Sequence, residues 1–306
     1  MKTLLKLSSM GDIIHSLVVI PRLKENVNFI IDSSFKDILE HNPYIDNIIP
    51  ISLRAAKKDK KLFFSEYKRV KELNFDEIYD LQGLFKSAVV AKLASNKRVG
   101  YANPREKIAT LFYNKKIKSN SNIAIERYLD LFEIKDRDYL ENHPKLLFYK
   151  DREFDILSKN RKNIVFIIGS TWECRKVLTK TWIELANSLK EENIIVPYVG
   201  EDEKKVAFEI AEAASNVTPV TLNLNDLKAL IDKIDLLIGN DTGPTFMAWA
   251  NNINNIILYG CTYSNKIIEN RYSKSIEIQR GAIDKTIFNI DKIRVKDILN
   301  KIDEFK

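Results

Sequence analysis

A single carboxylate follows the first apolar run of the chain. In the stretch "SSMGDIIHSL", residues 8–17, Asp12 comes after a break at small residues and stands where a helix begins. A carboxylate held at a strand end can act as a general base, and Gly11 would let the backbone pass close to a substrate. The same residues also suit a helix cap, in which Ser9 accepts from a first-turn amide and Asp12 reaches back. The local sequence leaves both interpretations open.

Two hydroxyls and two cations occur together in the stretch "GSTWECRK". Ser170 and Thr171 directly follow the apolar run "NIVFII", and Arg175 and Lys176 lie within reach of the same strand end. Arginine can bind phosphate oxygens in bidentate fashion and lysine can neutralise their charge, so this set is what a diphosphate would need. A solvated loop with an ordinary charge pair is the alternative.

A third loop, "GNDTGP", joins an apolar run to a helix that has Pro244 at its start. Asp241, Thr242 and Gly243 are ordinary helix-start residues, which favours a plain cap. The same geometry aims free backbone amides at whatever lies above the sheet, which makes the loop a candidate site for an anion or a sugar hydroxyl.

The elements that must position these loops follow from the hydrophobic pattern. Strand-like runs such as "TLLKL", "VNFIID", "NIVFIIGST" and "DLLIGND" alternate with amphipathic stretches, a pattern typical of parallel sheets covered by helices. We predict an α/β chain with two Rossmann-like, doubly wound domains, residues 1–150 and 151–306, facing across a cleft. The last helix either caps its own domain or returns to the first. In such sheets ligands bind beyond the carboxyl ends of the strands, where all three loops fall.

The composition indicates a globular protein with no membrane span, but it does not identify a binding partner. The 306 residues are 45% hydrophobic, enough for real cores, and no apolar run approaches the ~20 residues of a membrane span. No signal peptide is evident, so we expect a cytoplasmic protein. The net charge of +7 could favour nucleic acid, an anionic membrane face or a phosphorylated substrate.

Several motifs are missing from the sequence. It has no G-x-G-x-x-G after the first strand, which disfavours a dehydrogenase, and no P-loop. The three histidines lack metal-ligand spacing, and the acidic pair in "DRD" at 136–138 is interpreted as a solvated loop. The two cysteines, Cys174 and Cys261, are interpreted as packing residues, because two thiols argue against a disulfide framework.

Five stretches together resemble the lipopolysaccharide heptosyltransferases. They are "SSMGDIIHSLVVIP", "DLQGLFKSAVVAKL", "RVGYANPREKIATLFYNKK", "IAIERYLDLF" and "GNDTGPTFMAWA". The similarity extends from residue 4 to about residue 262, and the "SSMGD" opening is most similar to the heptosyltransferases I. One departure is Phe246, which stands where the family usually has a histidine after "DTG".

The resemblance implies a GT-B glycosyltransferase with no cofactor and no obligatory metal. The implied reaction is inverting transfer of L-glycero-D-manno-heptose from ADP-heptose to a Kdo hydroxyl of Kdo-lipid A. Asp12 matches the family's base. The implied donor-binding residues are Ser170, Thr171, Arg175, Lys176, Glu201 or Glu203, Leu222, Asp241, Thr242 and Gly243. The implied acceptor-binding residues are Arg54, Lys57, Lys58, Gln82 and Arg105.

Two alternatives remain beside this expectation. The nearest is a related GT-B enzyme with another heptose acceptor or another nucleotide sugar, which Phe246 keeps open. From a different class, a charge-driven binder of nucleic acid or membrane would explain the net charge but not three polar loops at strand ends. For the enzyme we expect no nucleic-acid partner and peripheral attachment to the anionic cytoplasmic face of the inner membrane.

Overall fold

The protein consists of two compact units, each built on one parallel sheet. The computed structural model describes residues 1–53, 59–137, 141, 143–264, 266–267, 269–278 and 290–305. The units are Met1–Phe148 and Tyr149–Lys306, so they meet inside the polar stretch 135–151. Each contains a six-stranded sheet whose neighbouring strands are all parallel. The α/β prediction for both halves is confirmed.

The first unit alternates strands and helices along the chain. Its elements are β1 (Lys2–Leu5), α1 (Met10–Ser16), α2 (Ile20–Leu23), β2 (Val27–Asp32), β3 (Ile45–Ile51), α3 (Lys60–Glu72), β4 (Glu77–Asp80), α4 (Phe85–Ala94), β5 (Arg98–Tyr101), β6 (Lys115–Ile117) and α5 (Ala124–Leu131). Short 3-10 helices cover Leu17–Val19, Ser33–Ile38 and Lys107–Phe112.

The second unit repeats the alternation. Its elements are β7 (Asn163–Ile167), α6 (Thr179–Ser188), β8 (Asn193–Pro197), α7 (Gly200–Ala213), β9 (Val217–Val220), α8 (Leu224–Ile231), β10 (Leu236–Asn240), α9 (Gly243–Ala250), β11 (Asn255–Tyr259), β12 (Ser273–Glu277) and α10 (Val295–Asp303). The 3-10 helices here are Glu173–Arg175 and Ile290–Lys292.

The strand order places the polar loops at one special point of each sheet. The first sheet runs β3-β2-β1-β4-β5-β6 and the second β12-β11-β10-β7-β8-β9. In both, the chain winds outward in one direction from the first strand and then in the other. Ligands of such sheets bind where the order reverses, beyond the carboxyl ends of the two central strands. Those strands are β1 and β4 in the first unit and β7 and β10 in the second.

The central strands are buried on both faces, which explains their continuous apolar runs. Every residue of β2, β7, β10 and β11 is buried. Helices cover both faces of a parallel sheet, so its strands read as unbroken hydrophobic runs instead of alternating ones. In the second unit Phe166, Trp182 and Ile238 belong to the core cluster between sheet and helices.

The last helix stays with its own unit. α10 packs against α6, β11 and β12, and Ile298 on its inner face is fully buried. These three partners all belong to the second unit, with which the helix is grouped. Among the helices of the described residues, none is long and apolar enough to cross a membrane.

Candidate active site

The carboxylate of Asp12 lies just beyond β1, in the first turn of α1. Its Oδ2 accepts from the Ser9 backbone N–H at 3.3 Å and from the Ser9 hydroxyl at 2.9 Å. The residue is only half-buried. The cap interpretation therefore describes what fixes this side chain, and partial exposure leaves it open to a proton donor. A cap and a base are compatible here, because a carboxylate can accept more hydrogen bonds than the two from Ser9.

The loop that carries Asp12 is held from the neighbouring strand by Gln82. The Gln82 Oε1 accepts from the backbone N–H groups of Leu7 at 2.8 Å and Ser8 at 3.1 Å, and its Nε2 donates to Ser8 Oγ at 3.3 Å. These bonds position the backbone that leads to Asp12. Contact of Gln82 with the acceptor stays a prediction.

A buried carboxylate, Asp80, holds the Gln82 loop in turn. Its Oδ1 accepts from the N–H groups of Gln82 and Gly83, at 2.9 and 3.2 Å, and its Oδ2 accepts from the hydroxyls of Ser87 and Tyr113 at 2.8 and 2.7 Å. Burial raises the pKa of Asp80 from its ordinary value, although these four donors oppose the rise.

Two further residues near Asp12 were not identified from the sequence. Lys6 is buried, and its ammonium lies 5.2 Å from the centre of the Tyr128 ring. Burial, and next to it the negative charge of Asp12, raises the pKa of Tyr128 well above its ordinary value. The phenol of Tyr128 therefore stays neutral beside the carboxylate. The available signal was a lysine inside the otherwise apolar run "TLLKL".

The structure describes only some of the predicted acceptor-binding residues. Arg54, Lys57 and Lys58 lie outside the described residues. Arg105 is exposed, in the loop that precedes the 3-10 helix Lys107–Phe112. That loop is joined to the Gln82 loop, because the Glu106 backbone N–H donates to the Gly83 carbonyl at 3.2 Å.

In the second unit, an open cavity of about 200 Å³ lies beyond β7 and β10. Four predicted donor-binding residues line it: Ser170, Thr171, Leu222 and Thr242. The remaining lining residues are Ile167, Gly169, Pro197, Tyr198, Val199, Glu203, Leu227 and Pro244. Apolar walls with a few hydroxyls and one carboxylate suit a nucleoside, whose base is flat and apolar and whose ribose carries hydroxyls.

Of Glu201 and Glu203, which the sequence left open, Glu203 is the one that lines this cavity. Glu201 points into solvent, with its side chain 86% exposed and ion-paired to Lys204. Glu203, two residues further along α7, turns inward, and its Oε2 accepts from the Val199 N–H at 2.9 Å. Gly169 permits this approach, since a Cβ there would lie 1.9 Å from the Glu203 Oε1.

A second cavity, of about 580 Å³, adjoins the first and contains Lys176. The two cavities share Gly169 and Glu203. The Lys176 ammonium forms an ion pair with Glu173 at 2.5 Å, and a third of the side chain is exposed. An exposed pair of this kind is weak, so the ammonium can exchange it for a phosphate oxygen.

Arg175 is held far more firmly than Lys176. Its Nε lies 3.2 Å from Asp241 Oδ2, its Nη1 donates to the Asp241 backbone carbonyl at 3.2 Å, and its guanidinium stacks on Trp172 at 3.9 Å from the ring centre. Of the two cations left open by the sequence, Lys176 is therefore the one available to a ligand. Arg175 fixes the loop to the start of α9.

Asp241 is fully buried, and its carboxylate is held by side chains of the protein. Besides Arg175, its Oδ2 accepts from the Thr262 hydroxyl at 2.8 Å, and Lys266 Nζ lies 3.6 Å from its Oδ1. A buried carboxylate must be paired because removal from water is costly. Its contact with the donor stays a prediction. Thr242 caps α9 and lines the cavity, and Gly243 is the first residue of that helix. Both stay predicted positions for backbone donors.

Asn240, at the end of β10, closes the loop that contains Ser170 to Lys176. Its Nδ2 donates to the Ile168 carbonyl at 2.7 Å, and its Oδ1 accepts from the Val177 N–H at 3.2 Å. One buried amide thus holds both ends of the loop. Asn240 belongs to the "GNDTGP" motif, but the sequence alone did not predict this role. Its hydrogen-bond partners are more than sixty residues away along the chain.

The two cysteines form a disulfide, which overturns their interpretation as packing residues. Cys174 and Cys261 are both buried, with their Cα atoms 5.6 Å apart. Cys174 lies in the 3-10 helix before Arg175, and Cys261 directly precedes Thr262 after β11. The bond spans 87 residues of sequence, so only the fold brings the two thiols together.

A metal centre was not expected from the sequence. Within the described part of the chain, no cluster of three or more histidine, cysteine or acidic side chains has an arrangement that could hold a metal ion.

Comparison with known proteins gives a consistent set of relatives. The profile of glycosyltransferase family 9 (heptosyltransferase) matches residues 64–287. Lipopolysaccharide heptosyltransferase 1 of Campylobacter coli is 31% identical, over 98% of this chain and 97% of its own. The namesake of Pseudomonas aeruginosa is 25% identical, over 85% of this chain and 78% of its own.

Solved structures share the fold over the whole chain. E. coli heptosyltransferase WaaC with ADP has a TM-score of 0.82 at 21% identity and covers 100% of both chains. E. coli ADP-heptose lps heptosyltransferase II has a TM-score of 0.76 at 18% identity, over 99% of this chain and 98% of its own.

Proposed function

The chain belongs to glycosyltransferase family 9, the heptosyltransferases, and from this membership we propose that it transfers L-glycero-D-manno-heptose from ADP-heptose to a Kdo hydroxyl of Kdo-lipid A. The reaction would add the first heptose of the lipopolysaccharide inner core. The names of the two curated relatives, lipopolysaccharide heptosyltransferases 1, support this choice. So does a structural neighbour with ADP-2-deoxy-2-fluoro heptose, at a TM-score of 0.81.

The observation that carries the proposal is the half-buried Asp12 at the reversal point of the first sheet. The acceptor hydroxyl oxygen attacks the anomeric carbon, and the bond from that carbon to the diphosphate oxygen breaks on the opposite face. ADP departs with the bonding electron pair through an oxocarbenium-like state. The hydroxyl proton passes to the Asp12 carboxylate, which acts as general base.

The second unit supplies the electrostatics of the leaving group. ADP is a weak base, so its diphosphate needs charge stabilisation more than a proton. Lys176 and the backbone N–H groups at the start of α9, around Thr242 and Gly243, are placed to provide it. Hydroxyls of Ser170 and Thr171 line the same cavity system.

The nucleoside of the donor fits the smaller cavity. We assign the ribose hydroxyls to Glu203, whose carboxylate faces that cavity. The adenine would lie against Leu222, Leu227 and Tyr198. For the anionic acceptor we retain Arg105, together with Arg54, Lys57 and Lys58, as its cationic contacts.

Replacement of Asp12 by Asn tests the proposal. We expect kcat with ADP-heptose and Kdo-lipid A to fall by about 10²- to 10⁴-fold, the usual worth of a general base. The affinity for ADP, measured by calorimetry, should change less than twofold. Asn keeps the cap at α1, so the fold should survive.

Asp32→Asn is the matched control. Asp32 is the last residue of the parallel strand β2, and it caps the next turn by accepting from the Ser34 N–H at 3.2 Å. Its turnover should stay within about threefold of wild type. If Asp12→Asn turns over as fast as this control, the assignment of the base is wrong. A charge-driven binder would be indifferent to either change.

The nearest alternative is a family member with another sugar donor or acceptor. Phe246, which occupies a position where a polar donor contact is expected, is the observation that favours it. Turnover with ADP-heptose set against other nucleotide sugars, on Kdo-lipid A and on heptosylated acceptors, separates the two functions.

We further propose that the enzyme works at the cytoplasmic face of the inner membrane. The segment 105–118 carries five basic residues and one acidic residue. Within it Ile108 and Leu111 are exposed and lie on one side of the 3-10 helix Lys107–Phe112, because residues three apart eclipse in such a helix. Cations near an anionic surface contribute roughly 1 kcal/mol each, and apolar side chains can enter the interface.

Vesicle co-sedimentation tests the membrane proposal separately from activity. The double variant Ile108→Ser with Leu111→Ser should bind anionic phosphatidylglycerol vesicles several-fold more weakly, and high salt should weaken binding of the wild type. Phe208→Ser removes an exposed aromatic side chain beside Lys204 and Lys205 of the second unit and should leave binding unchanged. Equal binding by all three proteins would exclude this face.

A further inference from the structure

Two cations flank the buried carboxylate of Asp241. Arg175 lies 3.2 Å from Oδ2 and Lys266 lies 3.6 Å from Oδ1, and the Thr262 hydroxyl adds a neutral donor. Asp241 directly precedes Thr242 and Gly243 at the start of α9, the place to which the proposed function assigns the diphosphate. Both cations therefore lie beside the proposed site of an anion.

The two cations are held very differently. Arg175 is fixed by Asp241, by the backbone carbonyl of that residue and by the Trp172 ring, and its side chain is 11% exposed. The Lys266 ammonium stands beyond hydrogen-bond distance of Oδ1, and its side chain is 22% exposed. Oδ1 itself has no hydrogen-bond partner among the described residues. Lys266 is therefore the cation that can turn its N–H groups to a ligand.

Lys266 also lies against the residue that departs from the family motif. Its Nζ is 5.4 Å from the centre of the Phe246 ring, within the range of a cation–π contact. Phe246 is fully buried in α9, three residues after Gly243.

We propose that Lys266 binds a diphosphate oxygen of the nucleotide sugar. This inference rests on the proposed function. As the bond to the anomeric carbon breaks, the diphosphate gains negative charge, so the ammonium also stabilises the departing ADP. Asp241, on this assignment, is a positioning residue that holds Arg175 and Lys266 at the start of α9.

Removal of the ammonium group is the direct test. Lys266→Met keeps most of the side-chain length and should weaken ADP binding by about tenfold to a hundredfold, as for a lost charged hydrogen bond. Binding of AMP, which lacks the second phosphate, should change much less. Lys266→Arg should restore most of the ADP affinity, because it returns a cationic donor.

Lys274→Met is the matched control for charge and exposure. Lys274 has the same 22% exposed side chain and is ion-paired to Glu304 instead of Asp241. Its loss should leave ADP affinity within twofold of wild type. An equal loss in both variants would mean that only net charge matters, and the inference would be wrong.

A double variant separates ligand binding from simple neutralisation of Asp241. If Lys266 merely offsets the buried charge, Asp241→Asn with Lys266→Met should bind ADP as well as Asp241→Asn alone. If Lys266 contacts the diphosphate, the double variant should bind ADP more weakly than Asp241→Asn alone. Unchanged ADP affinity in Lys266→Met overturns the inference even where wild-type turnover confirms the enzyme. Absence of wild-type turnover with ADP-heptose would instead reject the proposed function.

Discussion

Burial separates the two aspartates that the sequence placed at strand ends. Asp12 is half-buried and bonded to one serine, whereas Asp241 is fully enclosed and bonded to side chains from two distant loops. Exposure makes the first suitable as a proton acceptor, and enclosure limits the second to holding its partners. The residue types are identical, so the difference comes from the fold.

Gly169 determines how close Glu203 can come to the backbone that lines the smaller cavity of the second unit. A methyl group there would fall 1.9 Å from the Glu203 Oε1, so the carboxylate must move. We expect Gly169→Ala to weaken ADP binding by about tenfold, the effect of losing a charged hydrogen bond. Calorimetry measures this affinity. In the double variant with Glu203→Ala, the alanine at 169 should add little, and a full additive loss would contradict the explanation.

Asp80 should make the stability of the protein fall with rising pH. Burial raises its pKa above the ordinary 3.8, so the folded protein keeps a proton that the unfolded chain has released. The unfolded state then binds fewer protons, and its stabilising contribution is lost as pH rises from 3.8 through the folded pKa. The asparagine of the Asp80→Asn variant cannot ionise. As pH rises over that range, the free energy of unfolding of the variant should therefore increase relative to that of wild type. Urea denaturation at several pH values measures this, and parallel curves would contradict it.

Sequence patterns located the loops but not the contacts within them. Ser170, Thr171, Leu222 and Thr242, which the resemblance assigned to the donor, line one cavity of the second unit. The pairing of Asp241 with Lys266, and the choice of Glu203 over Glu201, depend on which way side chains face after the sheet has formed. Residues that are distant in sequence supply those neighbours, and no local pattern records them.

At the scale of elements, hydrophobic runs predicted both sheets because parallel strands are apolar on two faces. The alternation from "TLLKL" onward and again from "NIVFII" matches β1 and β7 and the strands that follow each. The disulfide was missed since Cys174 belongs to a 3-10 helix and Cys261 to the loop after β11. The adjacent order β7-β10-β11 in the second sheet brings those two elements to the same end of the sheet.

The Cys174–Cys261 bond should stabilise the loop that carries Arg175 and Lys176. For a loop of this length, the entropy model gives up to about 4.5 kcal/mol of stability. Cys174→Ala with Cys261→Ala should lower the melting temperature and weaken ADP binding. Wild type in dithiothreitol should match the variant in both measurements. Thiol titration of the denatured, non-reduced protein should find no free thiol, and two free thiols would show that the bond is absent.

At the scale of the whole molecule, each unit has its own sheet and its own proposed task. We expect ADP alone to act on the second unit. At about a hundred times its Kd, ADP should add about 2.7 kcal/mol to the stability of that unit. Hydrogen exchange should show protection around Gly169–Lys176 and at the start of α9, with exchange around Asp12 unchanged. The Asp12→Asn variant should show the same pattern of protection with ADP. If ADP no longer protects the second unit of that variant, Asp12 contributes to nucleotide binding.

The packing of the final helix, α10, on the sheet of its own unit has an evolutionary consequence. Because α10 caps the second unit, each half completes its own interior, and the polypeptide passes from one half to the other once, near residue 148. If the first unit holds the acceptor and the second the nucleotide sugar, as proposed, mutations that adapt the first to a new acceptor need not disturb the packing of the second. Lineages of such chains could then diversify what they glycosylate while they inherit an unaltered means of holding the activated sugar.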